Sequence, residues 1–367
     1  MVNLKSQYHR YKSEMDGAFE RVCEGGTFIK GEELHAFEHE LREKLGVRHV
    51  IGVANGTDAL QIALMALDLS PGDEVLIPSF AYAALPEVVL LLGLKPVFVD
   101  VSELDFLINP DLIIAKITPK TKVLAPVHLF GLTANMDVLG EIAERYGLYL
   151  LEDAAQSLGS LYCGERCFGS SGTLGDIGTT SFFPSKNLGA YGDGGAIFTN
   201  NDALAEKARM IANHGQRERY FHEIVGLNSR LDTLQAAILR VKLPHLDAFN
   251  ARRREIAGLY TESFKTLESC VTPSMSIGKS VPVFHQYTLQ IKGGLRDELA
   301  AFLFNRGIPT MIYYPLPLHQ QVAYKTDEVL PVSEQLCWEV LSLPICPELT
   351  QEQQLYIIEN LKLFYKS

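Results

Sequence analysis

Cysteine and tryptophan are scarce in this chain, and it has no long hydrophobic run, no basic excess and no low-complexity tract. Six cysteines in 367 residues are too few for the dense framework of a small disulfide-held scaffold. Only Cys163 and Cys167 lie close together. A C-x3-C pair without a second pair reads as two thiols in a surface hairpin, so no metal is expected. The longest apolar stretch, around Val88 to Leu94, is far too short for a bilayer, which needs about 20 residues. The opening Met1-Val-Asn-Leu-Lys-Ser-Gln-Tyr8 lacks the apolar core of a signal peptide. The expectation is a cytoplasmic protein with no membrane partner. A net charge of −11 also lacks the basic footprint that nucleic acid requires. An anionic small-molecule substrate would have to be met by local arginines.

What is present is the composition of a globular enzyme, with 47% hydrophobic and 21% charged residues, enough to bury a sizeable core. Between Val50 and Asn200, short apolar runs alternate with stretches that have helical periodicity. The runs are Val50–Val53, Glu74–Ile77, Pro96–Val99, Lys122–Ala125, Tyr149–Leu151, Thr179–Phe182 and Ala196–Thr199. That alternation predicts an α/β fold with a mainly parallel sheet of seven strands, helices on both faces and a ligand crevice at the strand ends. Amphipathic helices are expected over Gln7–Glu24 and Glu32–Leu45. A further helix, Asp232–Leu243, is followed by a proline break and a long second helix. Beyond these come a strand to Ile291, a helix over Leu295–Asn305, the loop Tyr314-Pro-Leu-Pro317 and a closing helix Gln351–Tyr365. The expected division is a large domain over residues 1–250 and a small C-terminal α+β domain over 251–367.

Two segments about thirty residues apart carry the chemistry. In Glu152-Asp-Ala-Ala-Gln156, a carboxylate ends the apolar run Tyr149–Leu151, where it points into the crevice. In Thr180-Ser-Phe-Phe-Pro-Ser-Lys186-Asn-Leu-Gly189, one lysine sits among Gly and Ser. Pyridoxal phosphate is held as a Schiff base to a lysine, with a carboxylate keeping its ring nitrogen protonated. Lys186 is the candidate amine, which burial must keep partly neutral, and Asp153 is the candidate carboxylate. Taken singly, Lys186 reads as a solvated loop residue and Asp153 as a helix cap. Asn55-Gly56-Thr57-Asp58 joins a strand to a helix whose first amides suit the cofactor phosphate, although the same residues serve a plain helix cap. Phe80 or Tyr82 is placed to stack on a planar ring, or to fill the core. Gln156 is placed to donate to the ring phenolate, and Ser181 to the phosphate.

These motifs, with Pro78–Tyr82, Gly192-Asp-Gly-Gly195 and Asn228-Ser-Arg-Leu-Asp232, resemble the DegT/DnrJ/EryC1/StrS family of sugar aminotransferases over nearly the whole chain. The resemblance implies a fold-type-I transferase like aspartate aminotransferase. It implies pyridoxal 5'-phosphate as cofactor, with pyridoxamine phosphate as the intermediate form. It also implies a nucleotide-linked keto-sugar substrate, glutamate as donor and 2-oxoglutarate as product. By the same resemblance Lys186 forms the Schiff base, Asp153 pairs with the ring nitrogen and Gln156 meets the phenolate oxygen. Gly56, Thr57 and Ser181 hold phosphate, and Tyr82 is the stacking aromatic. Asn228 resembles an asparagine that reaches the neighbouring subunit's cofactor, which implies a homodimer with shared sites.

The closest likeness within the family is to enzymes acting on UDP-2-acetamido-2-deoxy-3-keto-glucuronate, in cell-surface polysaccharide biosynthesis. Arg230 is a candidate clamp for a substrate carboxylate, since a guanidinium binds one bidentately; otherwise it pairs with Asp232 or another acid. Relatives carry a His-Tyr pair before the proline loop where this chain has Tyr313-Tyr314, and Leu85 stands where many have threonine. His319 is placed to replace the missing imidazole, or else is an exposed histidine without a role. Two other substrate classes and two other activities compete. The substrates are dTDP-linked 3-keto- and 4-keto-6-deoxyhexoses. The activities are sugar dehydration, against which Lys186 stands because such enzymes carry histidine there, and a non-catalytic regulatory role.

Overall fold

Near-continuous apolar runs belong to strands buried on both faces, and all seven runs fold as strands, with the edge strand at Pro96–Val99 left partly open. A computed structural model describes residues 2–276 and 278–366. The chain opens with α1 (Leu4–Arg10), α2 (Lys12–Gly25) and α3 (Glu32–Leu45); a break at Tyr11 divides what the sequence reads as one helix. The strands β1 (His49–Val53), β2 (Glu74–Pro78), β3 (Lys95–Val99), β4 (Thr121–Leu124) and β5 (Tyr149–Asp153) follow. Between them lie α4 (Gly56–Ala66), α5 (Ala84–Leu91) and α6 (Met136–Tyr146). A hairpin of β6 (Leu161–Cys163) and β7 (Phe168–Ser170) precedes β8 (Ile177–Ser181), β9 (Gly195–Thr199) and α7 (Asp202–Ile211). Cys163 and Cys167 are free thiols at the tip of that hairpin.

The seven-stranded sheet has the order β1-β9-β8-β5-β4-β2-β3. The pairs β2/β3, β2/β4, β4/β5 and β5/β8 are parallel, and only β9 runs against its neighbours. Period-2 alternation sends Ile51, Val53 and Ile197 to the core under α4 and α7. Val50, Ala196 and Phe198 go to a second core under α3 and a later helix, α8. The carboxyl ends of β2, β4, β5 and β8 therefore open on one rim.

A second hairpin, β10 (Gln216–Glu218) and β11 (Phe221–His222), leads into α8 (Thr233–Lys242). Pro244 marks the kink before α9 (Leu246–Phe264). α9 crosses residue 250: Leu246 packs in the core under α3 and α8, whereas Ile256, Ala257, Tyr260 and Phe264 belong to a separate, C-terminal one. That C-terminal core is completed by β12 (Cys270–Val271), β14 (Tyr287–Ile291), β15 (Val340–Leu343), α10 (Arg296–Phe304) and α12 (Gln351–Phe364). β13 (Ser280–Val281) leaves this region to pair with β6, and α11 (Pro331–Glu339) precedes β15. Neither was legible as a run.

The two cores meet where residues 283–286 lie along the turn after β4. Val283 N donates to Gly131 O (2.8 Å) and Gln286 N to Phe130 O (3.3 Å). Gly131 has φ +103°, and a Cβ there would lie 2.8 Å from the backbone nitrogens of both Phe284 and His285. Gly131→Ala is therefore expected to lower unfolding free energy by about 2 kcal/mol or more, seen as a fall in denaturant midpoint; an unchanged midpoint would refute the tight approach.

Candidate active site

Asp153 ends β5, its backbone held by Pro126 O and His128 N (3.0 and 2.9 Å). Its side chain is 8% exposed, and one oxygen accepts from Ala155 N at 3.0 Å. Burial pushes its pKa upward, against the Ala155 amide and the opposing charge of Lys186. One step back along the strand, Glu152 points to the opposite face and is fully satisfied. It accepts from His128 Nε2 (2.8 Å), Gly172 N (2.9 Å), Leu174 N and Gly175 N (both 2.6 Å). His128 Nδ1 accepts from Ala134 N (3.1 Å), so the ring proton lies on Nε2 and donates to Glu152. Sequence reading quoted Glu152 only as part of a motif and missed His128 altogether.

Lys186 lies in the turn that leaves β8. That turn is rigid: Lys186 N donates to Phe183 O (2.8 Å), Ala190 N to Phe182 O (2.7 Å) and Phe182 N to Gly194 O (2.7 Å). Phe182 anchors it edge-on against Phe37 at 5.4 Å. A Cβ on Gly189 would sit 2.4 Å from Pro184 O, so the chain can turn this tightly only with glycine there. The Lys186 amine makes no hydrogen bond among the described residues. Burial lowers its pKa from 10.5 to about 8, with the charge of Asp153 opposing the shift. A buried carboxylate with one amide donor and a half-buried amine with none fit a ring that brings an N–H to the first and a carbonyl carbon to the second.

The phosphate seat fits equally well. Asn55 caps α4, its Oδ1 accepting from Asp58 N at 2.8 Å, so the earlier amides of Gly56 and Thr57 open the helix with its positive end outward. A side chain on Gly56 would meet Ser181 Cβ at 2.7 Å, which shows how closely the first turn approaches Ser181 at the end of β8.

Gln156 is fixed from both ends. Its Oε1 accepts from Phe130 N (2.8 Å), and its Nε2 donates to the Tyr314 hydroxyl (3.3 Å). Phe130 takes φ +57°, which turns its amide toward Gln156. Of the two candidate stacking rings, Phe80 is core at 1% exposure, packed on Phe106, Phe130 and Tyr314, while Tyr82 is 63% exposed and 6.4 Å from the Tyr314 ring. Leu85 is buried in the core.

The structure brings Tyr313 and Tyr314 to this crevice but not His319. That ring is fully buried, with Nδ1 2.6 Å from Ser79 Oγ and Nε2 3.2 Å from Glu334 Oε1. It ties the proline loop to the end of β2 and has no nitrogen left for a sugar, so the missing imidazole is not replaced from there. The other reading, an exposed histidine, fails too. Asn228 and Arg230 flank buried Ser229, whose Oγ accepts from Ala54 N at 3.1 Å beside the α4 turn. Neither side chain makes a hydrogen bond or ion pair among the described residues, so the alternative pairing of Arg230 with Asp232 is not formed.

Comparison with known proteins agrees with this geometry. Residues 9–362 match the model of the DegT/DnrJ/EryC1/StrS aminotransferase family. A pleiotropic regulatory protein of Geobacillus stearothermophilus is 45% identical, covering 100% of this chain and 98% of that one. UDP-2-acetamido-2-deoxy-3-oxo-D-glucuronate aminotransferase of Pseudomonas aeruginosa is also 45% identical, over 95% of each. The X-ray structure of DesV from S. venezuelae superposes with a TM-score of 0.95 at 41% identity, covering 100% of this chain and 98% of DesV. This chain belongs to the DegT/DnrJ/EryC1/StrS aminotransferase family and is a pyridoxal phosphate-dependent sugar aminotransferase of fold type I.

An ordinary lysine titrates near 10.5, whereas Lys186 is expected to titrate near 8 in the cofactor-free chain. Fluorodinitrobenzene labelling against pH, with the Lys186 peptide quantified by mass spectrometry, measures this; a midpoint above 10 would contradict the burial argument.

Proposed function

We propose that this enzyme moves the amino group of glutamate to C3 of UDP-2-acetamido-2-deoxy-3-keto-glucuronate, as a cytoplasmic homodimer that supplies an amino sugar for cell-surface polysaccharide. The observation that carries the chemistry is the pair of half-buried Lys186 and buried Asp153, set at one rim and both short of partners. The observation that favours a uronic acid is Arg230, a guanidinium that no acid among the described residues neutralises. The 45% identical Pseudomonas aeruginosa protein bears the matching name. Tyr313 and Tyr314 form the wall facing the sugar, and Asn228 is the residue offered to the partner subunit's phosphate.

When bound, pyridoxal phosphate supplies an electron-withdrawing ring that stabilises negative charge at the donor's α-carbon. Gly56, Thr57 and Ser181 would hold its phosphate, Tyr82 one ring face, Gln156 the phenolate oxygen and Lys186 the carbonyl carbon. Asp153 keeps a positive charge on the ring nitrogen. Its raised pKa describes the cofactor-free carboxyl; a cationic N–H beside the free oxygen favours the ionised form. Lys186 is poised as the base. An amine with a pKa of about 8 keeps a useful neutral fraction near pH 7, enough for Nζ to take the donor's α-proton and return it in the second half-reaction. Gln156, locked between Phe130 N and Tyr314, keeps its remaining N–H directed without reorganisation.

Asp153→Asn should keep the fold, read by circular dichroism, while kcat falls at least about 100-fold because the carboxylate no longer fixes the ring charge. Near-normal kcat would remove Asp153 from this role. For the substrate, Arg230→Met should weaken kcat/KM for the 3-keto-uronate about 100-fold and leave a neutral dTDP-linked 3-keto-sugar within about 3-fold. Equal losses on both substrates would shift Arg230 to donor binding and favour the dTDP-sugar reading.

A further inference from the structure

Behind the Lys186 turn lies a chain of buried amides whose hydrogen bonds admit one arrangement. Asn250, on α9, donates from Nδ2 to Leu158 O at 3.1 Å. Asn187 donates from Nδ2 to Asn250 Oδ1 (2.7 Å) and to Val283 O (3.2 Å). Leu158 O and Val283 O are carbonyls and only accept, so both amide orientations are forced. Asn187 Oδ1 is thereby turned to His285 Nδ1, 3.2 Å away. An oxygen facing that nitrogen requires Nδ1–H.

His285 Nε2 then keeps its lone pair, toward which Gln286 Nε2 points at 3.4 Å. The Gln286 side chain also lies beside Tyr313 and acts on its hydroxyl. Protonation of the ring is opposed from every side: by burial, by Lys186 and by the Arg253 guanidinium, all of which lower its pKa well below 6.5. Arg253 itself is tied through Nη1 to the carbonyls of Phe284, His285 and Ile345 (3.2, 3.3 and 3.1 Å) and holds the imidazole's own backbone in place. Asp153 is the carboxylate whose charge acts on Lys186, and none of the hydrogen bonds to His285 comes from a carboxylate.

We propose that His285 is a positioning residue for Lys186: as a neutral, Nδ1-protonated imidazole it fixes Asn187, and through Asn187 the turn that presents the amine to Asp153. This rests on reading Lys186 as the cofactor-binding amine. A second cation at this place would disfavour protonated Lys186 in any geometry; a neutral donor holds the turn without changing the charge of the site. The arrangement also returns an imidazole to the neighbourhood of Tyr313, from the small-core segment rather than from the proline loop.

The test compares two amides. An Asn side chain places its NH2 where Nδ1 was, whereas Gln reaches the Nε2 position and leaves Asn187 Oδ1 unpaired. In the cofactor-free chain, His285→Asn should keep the Lys186 labelling midpoint within about half a unit of wild type. His285→Gln should move it upward by about one unit or more as water reaches the amine. Identical midpoints for the two variants would overturn the proposal. Should neither variant fold, the wild-type ring decides by 15N NMR, assigned through its contact with the Asn187 amide. An Nδ1–H neutral tautomer from pH 6 to 8 supports the role; an Nε2–H tautomer or an imidazolium ends it. These readouts need no turnover, so their failure leaves the aminotransferase reading intact; a wild-type protein that never binds pyridoxal phosphate would instead strike that reading, and leave the labelling and tautomer results as they stand.

Discussion

Two groups of opposite charge have been taken out of water at the same rim and denied the hydrogen bonds that would settle them. Burial draws both toward neutrality, Lys186 downward and Asp153 upward. A buried ionisable group without partners is costly, so the surrounding structure has to hold both in place by other means. For Lys186 the means are the locked turn from Phe182 to Ala190 and the amide chain through Asn187. For Asp153 they are the backbone bonds at the end of β5 and the saturation of its neighbour. Glu152 and Asp153 stand side by side in sequence, and strand alternation sends one to four donors and the other to the crevice. The first is an anchor because nothing is left over, and the second is reactive because something is.

The small core contributes to this rim without covering it. Its entering segment, residues 283–286, pairs with the Phe130–Gly131 turn on one side and reaches Asn187 on the other. One short stretch thus touches the supports of both Gln156 and Lys186. A shift of the small core relative to the sheet would be felt at once by both Gln156 and Lys186. That is a physical reason for Arg253 to be buried on α9 with two carbonyls of this stretch and one, Ile345 O, from the segment after β15.

Much of the sheet was legible because the strands of a mainly parallel sheet are apolar runs bounded by turn residues, and all seven share that form. Lys186, Asp153 and the Asn55–Thr57 turn were legible for a related reason: each is local, a residue type at a fixed offset from a strand end. What stayed hidden depends on contacts between distant segments. His128, Asn250 and His285 belong to no short pattern, Asn187 was visible only as the neighbour of Lys186, and only the tertiary fold joins residues 98 positions apart. His319 shows the opposite failure. A histidine after a proline-rich loop looks available, but the loop folds back on β2 and Ser79 and Glu334 claim both nitrogens. The short strands β13 and β15 were missed because two to four residues carry too little periodicity.

The reversed direction of β9 has one more effect. Its first residue, Gly195, pairs with both Val53 and Ser181, so it lies between the ends of β1 and β8. A Cβ there would fall 2.4 Å from Asn55 O. The width of the anion seat is thus set by a residue with no group to offer a ligand. Any widening for a bulkier anion would have to begin by displacing main chain, so the size of the group this turn can hold is fixed before any side chain is chosen.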